Sequence, residues 1–246
     1  MSDVTRADVC AIACADLFAG DGEILVSPMG TMPLIGARVA RLTFAPDLLL
    51  SDGEALLLAE TPALGASAPV EGWIPYRKVF DVVAAGTRHV VMGANQLDRF
   101  GNQNISHFGP HEQPARMMFG PRGGPGNTIN HRTSYWVPRH SARVFTRSVD
   151  FVSGVGTDRA VGDSMRFHDL HRVVSNLGVF DFGGPARTMR LVSVHPGVTV
   201  DEVQAATAFP LHVDGSVATT RLPGDGELEV LARVDPRNLR AKEVPE

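Results

Sequence analysis

Lysine is almost missing from this chain. Lys78 and Lys242 are the only two, so nearly all of its positive charge is arginine. Arginine suits fixed contacts to carboxylate or phosphate, although a biased genomic base composition produces the same replacement. Cysteine is equally scarce. Cys10 and Cys14 are the only pair, and their spacing puts them on one face of a helix. Two cysteines make neither a disulfide framework nor a four-ligand zinc site. Both are expected to be reduced core residues of a cytoplasmic protein. No stretch approaches the roughly 20 apolar residues of a membrane span. Asp3, Arg6 and Asp8 precede any apolar run, so no export signal is expected at the start. There is no internal repeat and no low-complexity segment. Excess positive charge is missing too: the net charge of -4 argues against a nucleic-acid binder.

What is present is an ordinary globular composition, 43% hydrophobic and 20% charged over 246 residues. That length buries a sizeable core. No strong linker divides it, so a single domain over 1–246 is expected.

Apolar positions at Val9, Ile12, Ala13, Leu17 and Phe18 predict a helix over 5–18, capped by Asp3 or Thr5. A short strand over 23–28 follows, then a helix beginning at Pro33. Leu48-Leu49-Leu50 predicts a buried strand that ends at Ser51-Asp52-Gly53-Glu54, and 55–59 a further short strand. This alternation predicts an α/β fold: an open, mostly parallel sheet with flanking helices. Residues 62–75 read as loop and 77–85 as a short helix closed by Gly86.

The stretch around which the rest is organised comes next. His89-Val90-Val91-Met92 is a buried strand that breaks at Gly93 into a polar run containing Asn95, Gln96, Asp98, Asn102, Gln103 and Asn104. Uncharged carboxamides at a strand end either orient a ligand or cap a turn. Between Phe108 and Arg132 turn formers dominate. At the centre is Gly120-Pro121-Arg122-Gly123-Gly124-Pro125-Gly126-Asn127, whose glycines let backbone N–H groups approach an anionic oxygen, or else form a mobile surface loop. It is neither a Walker loop nor a dinucleotide fingerprint.

Strands are predicted over 134–138, 142–152, 173–182 and 189–194, with Gly183-Gly184 turning a hairpin. A helix capped by Thr199 or Asp201 is expected over 198–207, and a helix or strand over 227–234. The tail after Asp235 is expected on the surface. His168 and His171 have a spacing that invites a metal, but no third ligand is identifiable. His107 and His111 flank the glycine-rich region and are expected to be exposed. No Gly-x-Ser-x-Gly elbow exists, and spacing assembles no Ser-His-Asp site. Asp52 and Glu54, just past a buried strand, are candidates for nucleophile or general base, or for turn capping.

Taken together these segments resemble the β subunit of the class I coenzyme A transferases. Ser51-Asp52-Gly53-Glu54 resembles that family's Ser-Glu-Asn-Gly segment. Residues Gly93 to Asn104 are similar to its Gly-Ala-x-Gln-x-Asp-x-x-Gly-Asn-x-Asn stretch. Gly120 to Asn127 looks like its Gly-x-Gly-Gly loop, and His195-Pro196-Gly197-Val198 resembles its C-terminal segment. The resemblance runs from Glu23 to about Asp235. It implies a coenzyme A transferase-like fold, an acyl-CoA substrate, and a homologous α subunit in an α2β2 heterotetramer. It implies no further cofactor, since coenzyme A is part of the substrate.

One departure bears on activity. Where the transferases carry the glutamate that becomes a CoA thioester, this sequence has Asp52, and glutamate returns only at Glu54. Losing one methylene shifts a carboxylate by roughly 1.5 Å, and misplacement of that order costs about 100-fold. Within the family the sequence looks most like β subunits of actinobacterial hydrolases that open the last steroid ring of a cyclic keto-enoyl-CoA. That likeness implies water addition and retro-Claisen carbon–carbon cleavage, with the main base on the α subunit. Gly93, Asn95, Gln96, Asn102, Asn104 and Asn127 would then bind substrate, and the N–H groups at Gly123 and Gly124 would face a developing oxyanion. The alternatives are a 3-oxoacid or glutaconate-type CoA transferase using Asp52 or Glu54, and a non-catalytic ligand-binding module.

Overall fold

The computed structural model of the chain describes residues 4–51 and 56–244. The first helix, α1 (Arg6–Asp16), starts at a reciprocal cap: Asp8 N donates to Thr5 Oγ1 at 3.2 Å and Thr5 N to Asp8 Oδ2 at 2.9 Å. Such a cap contributes about 1 kcal/mol. β1 (Leu25–Pro28) leads into α2 (Thr31–Thr43), which begins ahead of the expected Pro33. That proline sits in the first turn, where its missing N–H costs nothing. Then come β2 (Leu49–Ser51), β3 (Leu56–Leu58), β4 (Val70–Trp73), α3 (Tyr76–Ala85) and β5 (Arg88–Gly93). Two small hairpins follow, β6 (Gln96–Leu97) with β7 (Gln103–Asn104) and β8 (His107–Phe108) with β9 (Arg116–Met117). The second half holds α4 (Gly124–Asn130), β10 (Arg132–Val137), β11 (Asp169–Ser175), β12 (Gly178–Asp181), β13 (Arg190–Val194), α5 (Val200–Ala205), β14 (Ala218–Thr219), α6 (Asp225–Val234) and α7 (Leu239–Glu243).

Among the described residues ten strands form one sheet in the order β14-β13-β12-β11-β10-β5-β1-β2-β3-β4. The centre, β2-β1-β5-β10-β11, is parallel, while β3-β4 and β12-β13 add antiparallel flanks. This is the expected α/β class. Side-chain alternation divides the core. Val91, Trp136 and Val174 face one cluster with α1 and α2; Val90, Met92, Tyr135 and Val173 face the other. Cys10 and Cys14 lie in the first cluster, both free and wholly buried. Burial pushes the Cys10 thiol up to about 12.

Four expectations are corrected. Residues 70–73, read as loop, form β4, because pairing with β3 outweighs the poor strand propensity of Gly72. The 142–152 segment is a turn: Val144 N and Phe145 N both donate to Ser141 O, and burial of Phe145 accounts for its apolar look. The region rich in turn formers contains α4. The 173–182 segment is not one strand but the antiparallel pair β11 and β12, turned at Asn176-Leu177. The tail after Asp235 stays at the surface as expected and carries α7, where Glu243 accepts from Trp136 Nε1 and from Met32 N, each at 2.9 Å. Arg240 there donates to Asp8 Oδ1 at 2.6 Å.

Candidate functional site

The parallel strands end together, and β5 and β10 deliver the chain to the same edge. At β5 the Gly93 carbonyl accepts from Gln103 Nε2 at 2.6 Å, which turns the chain out of the sheet. Asn95 N then donates to Asn104 O, and the β6–β7 hairpin closes. Asp98 organises its tip, with Oδ1 accepting from Phe100 N and Asn102 N, and Oδ2 from Asn102 Nδ2. Burial raises the Asp98 pKa against these bonds, which lower it; nearby Asp158 adds to the rise. Gly101 has φ +77° and lies against the Phe182 ring, where a Cβ would approach to 2.6 Å, so only glycine fits.

Beside this edge lies a groove of about 620 Å³. Ala94, Asn95 and Gln96 form one wall; Val137, Pro138 and Arg139, leaving β10, form the opposite one. Phe108 and Arg116, paired across β8 and β9, line it, as do Arg143 and Val144. A crevice outside the carboxyl ends of parallel strands is where open α/β sheets hold ligands. Arg116, Arg139 and Arg143 are exposed. Among the described residues none of the three has an ion-pair partner. Sequence reading missed all three, since nothing in their spacing relates them.

His140 fixes the arginine-bearing wall. Its ring lies parallel to Phe145 with centroids 3.6 Å apart. Nδ1 meets Ser175 Oγ at 3.0 Å, Nε2 meets Thr207 Oγ1 at 2.9 Å, and its backbone N–H donates to Asn176 Oδ1. Burial lowers its pKa to about 3, so it carries no charge at neutral pH.

The predicted carboxamides separate into two groups. Asn95 is exposed on the groove; Gln96 lies on the same wall but is buried, its Oε1 accepting from Asn104 Nδ2 and Asp150 N and its Nε2 donating to Asp150. Asn102 and Asn104 are buried, which corrects their reading as ligand-facing groups. Asn102 Nδ2 donates to Asp98 and Asp158, and its Oδ1 accepts from Gly156 N. Asn104 Nδ2 donates to Gln96 Oε1 and His107 O, while its Oδ1 accepts from Ser106 N. Their hydrogen-bonding capacity is spent holding the loop.

The glycine-rich segment lies apart from the groove lining. Asn127 is buried, with Oδ1 accepting from Arg88 at 2.6 Å and Nδ2 lying 3.4 Å from Met92 Sδ. Gly124 N donates to Pro121 O, so that N–H is occupied. Asp52 and Glu54 lie outside the described residues; β2 ends at Ser51 on the same edge as the groove.

The histidines have structural partners. His107 is buried, not exposed, packed against Phe151; His111 is exposed as expected. His168 Nε2 meets Val155 O, and His171 receives Arg132. Among the described residues no three His, Cys, Asp or Glu side chains converge on a metal position. The fold does align Asp21, His89 and Ser134: Asp21 Oδ2 to His89 Nδ1 at 2.5 Å and His89 Nε2 to Ser134 Oγ at 2.9 Å. All three side chains are buried at the opposite, amino end of the strands, where the hydroxyl meets no substrate.

Comparison with known proteins gives consistent likenesses. No family model matches the chain. It is 63% identical to the cholesterol ring-cleaving hydrolase IpdB subunit of Rhodococcus jostii strain RHA1, over 99% of this chain and 98% of that one. It is 26% identical to a 3-oxoadipate CoA-transferase subunit of Pseudomonas knackmussii, over 85% and 86%. Its fold superposes on the crystal structure of Rhodococcus jostii RHA1 IpdAB with a TM-score of 0.96 at 62% identity, covering all of both chains. The decarboxylase AibA/AibB matches with a TM-score of 0.83 at 25% identity, over 99% and 100%.

Proposed function

Because the chain belongs to the cholesterol ring-cleaving hydrolase IpdB subunits, a branch of the class I coenzyme A transferase β subunits, we propose that it is the β subunit of a heteromeric hydrolase. Its substrate is a cyclic keto-enoyl-CoA, the last steroid ring left in cholesterol breakdown. The observation that carries this reading is 63% identity sustained over the full length of a ring-cleaving hydrolase subunit. The groove at the carboxyl edge of the sheet supports it, with apolar lining for the ring and Asn95 to orient a carbonyl group.

The reaction balances with water alone. Water adds to the ring ketone and loses a proton to a base. The bond from that carbon to the α-carbon of the thioester breaks, and its electron pair enters the thioester enolate. Reprotonation leaves a new carboxylate with coenzyme A still attached, so no redox or metal cofactor is required. The base is assigned to the homologous α subunit in an α2β2 assembly, and this chain shapes the pocket. The glycine-rich segment does not line this groove, so Gly123 and Gly124 are assigned no part in holding the enolate oxygen there. Asp52 marks the position at which the transferase nucleophile has been lost. We place the enzyme in the cytoplasm, in keeping with its two free thiols; among the described residues no helix is long and apolar enough to cross a membrane.

The test is to mix this chain with the homologous α subunit and a cyclic keto-acyl-CoA in heavy-oxygen water, with an acceptor acid present. Ring-opened product carrying one labelled oxygen and retaining coenzyme A is expected. Transfer of coenzyme A to the acceptor would establish a transferase instead. The same assay on Asp52→Asn and Glu54→Gln assigns or removes each carboxylate.

A further inference from the structure

We propose that Arg116, Arg139 and Arg143 form a receiving site for the phosphate groups at the nucleotide end of the coenzyme A substrate. This rests on the acyl-CoA reading above and assigns the orientation of the substrate in the groove.

Three guanidinium groups border one groove in a protein whose net charge is -4. Like charges brought to one opening repel each other, and such a cluster is stable where a polyanion neutralises it. Two other surface arginines show what self-neutralisation looks like in this fold, while single arginines elsewhere with no ion-pair partner among the described residues, such as Arg99 and Arg159, stand alone on the surface and do not share an opening. Arg190 is held by Asp181 and Asp214, and Arg221 by Asp16 and Glu227. The groove arginines lack such partners among the described residues. Asp150, bonded to the groove residue Gln96 and to Gly109 N, forms no ion pair with any of the three.

Position separates phosphate from a carboxylate on the acyl group. The arginines are exposed, while the rest of the lining includes apolar Ala94, Phe108, Val137, Pro138 and Val144. An acyl carboxylate bound for the reaction centre would enter that apolar part and need one or two guanidiniums. The diphosphate and ribose phosphate of coenzyme A carry several charges at the far end of a long, uncharged pantetheine arm. Arginines at the rim with an apolar interior match that distribution, and planar guanidiniums pair phosphate oxygens in bidentate fashion. The wall carrying Arg139 and Arg143 is also held in place before any ligand arrives. Between them His140 is stacked on Phe145 and bonded to Ser175 and Thr207, so little order has to be imposed on binding.

The experiment uses the assembled heteromer. Calorimetry measures binding of adenosine 3′,5′-bisphosphate to wild type, to Arg116→Gln, Arg139→Gln and Arg143→Gln, and to the triple variant. A loss of about tenfold per arginine is expected, reaching at least about 100-fold in the triple variant, with affinity falling as salt is raised. In parallel, kcat/KM is compared for the acyl-CoA and for the same acyl group on pantetheine alone; the substitutions should erase the advantage of the coenzyme A form. Equal losses on both substrate forms, with nucleotide binding intact, would overturn the proposal and assign the arginines to the acyl group. Dissociation of the variants' heteromer on size exclusion, with no loss of nucleotide affinity, would overturn it in favour of a subunit contact. Arginine-dependent nucleotide binding by an assembly that opens no ring would keep this inference and remove the hydrolase reading.

Discussion

Asp21 Oδ2 lies 2.5 Å from His89 Nδ1, with 1% and 0% of the two side chains exposed. Asp21 stands in the Gly20-Asp21-Gly22 turn that ends α1, and His89 opens the central strand β5, so this contact fixes the first helix to the middle of the sheet. Arg132 at the head of β10 reaches the other Asp21 oxygen at 3.4 Å. Replacing Asp21 with Asn removes the negative charge and one of the two acceptor oxygens, so the carboxamide can accept from His89 or from Arg132 but not from both, at a cost of about 2 kcal/mol. Urea denaturation of the heteromer checks this; an unshifted midpoint would show that the turn holds itself.

Asn95 and Asn102 should respond in opposite ways to alanine. Asn95 borders the groove and carries no part of the loop through its side chain, so Asn95→Ala should raise KM about tenfold and leave the melting temperature unchanged. Asn102→Ala strips Asp98, Asp158 and Gly156 of a shared partner and should cost about 3 kcal/mol of stability. Steady-state kinetics and thermal unfolding on the two variants decide the assignment. A KM effect from Asn102 without any loss of stability would reverse it.

Acid should weaken the fold through histidines that stay neutral inside it. Burial lowers His140 and His171 to about 3 and His195 to about 4, with Arg132 adding to the effect at His171, against an ordinary value near 6.5. Below about pH 6.5 the unfolded chain takes up protons that the folded chain refuses at all three sites. Stability therefore falls as pH drops from about 6.5 toward 4, by up to roughly 1.4 kcal/mol per pH unit for each residue. His140→Gln should remove about a third of that slope in denaturation curves collected across this range. An undiminished slope would place the proton uptake elsewhere.

Glu243 is predicted to anchor the C-terminal helix. Its carboxylate accepts from Trp136 Nε1, inside the core, and from Met32 N in the first turn of α2. Glu243→Ala should release α7 while the sheet persists, costing about 2 kcal/mol. Amide hydrogen exchange would reveal it as faster exchange over 239–244 with β5 and β10 still protected.

The sequence announces the central strand and its polar loop because both signals are local: four apolar residues in a row, then glycine and carboxamides. It does not say which carboxamides remain available. Asn95 and Asn102 are the same residue type in the same loop, and what separates them is the arrival of Asp158 and Gly156 from a distant segment. The α4 helix is hidden for a similar reason. Gly124-Pro125-Gly126 is a poor helix former, and the turn persists because Asn127, Thr128 and Thr133 bond around it. The apolar run around Phe145 has the composition of a strand but is a buried turn tied to Leu97 through Val144 and Thr146. The groove arginines come from two separate segments, Arg116 on β9 and Arg139 with Arg143 after β10, and meet only after folding. Motif resemblance, by contrast, reached the family directly.

Among the described residues β4 is the outermost strand on its side of the sheet, and Val70 and Trp73 on it are 50% and 68% exposed. A bare edge with apolar side chains is a template on which another copy can add a strand. Edge-to-edge addition is second order in protein, so this strand sets a concentration limit on handling the chain that its equilibrium stability does not reveal. Val70→Lys is expected to raise that limit, read as light scattering during concentration.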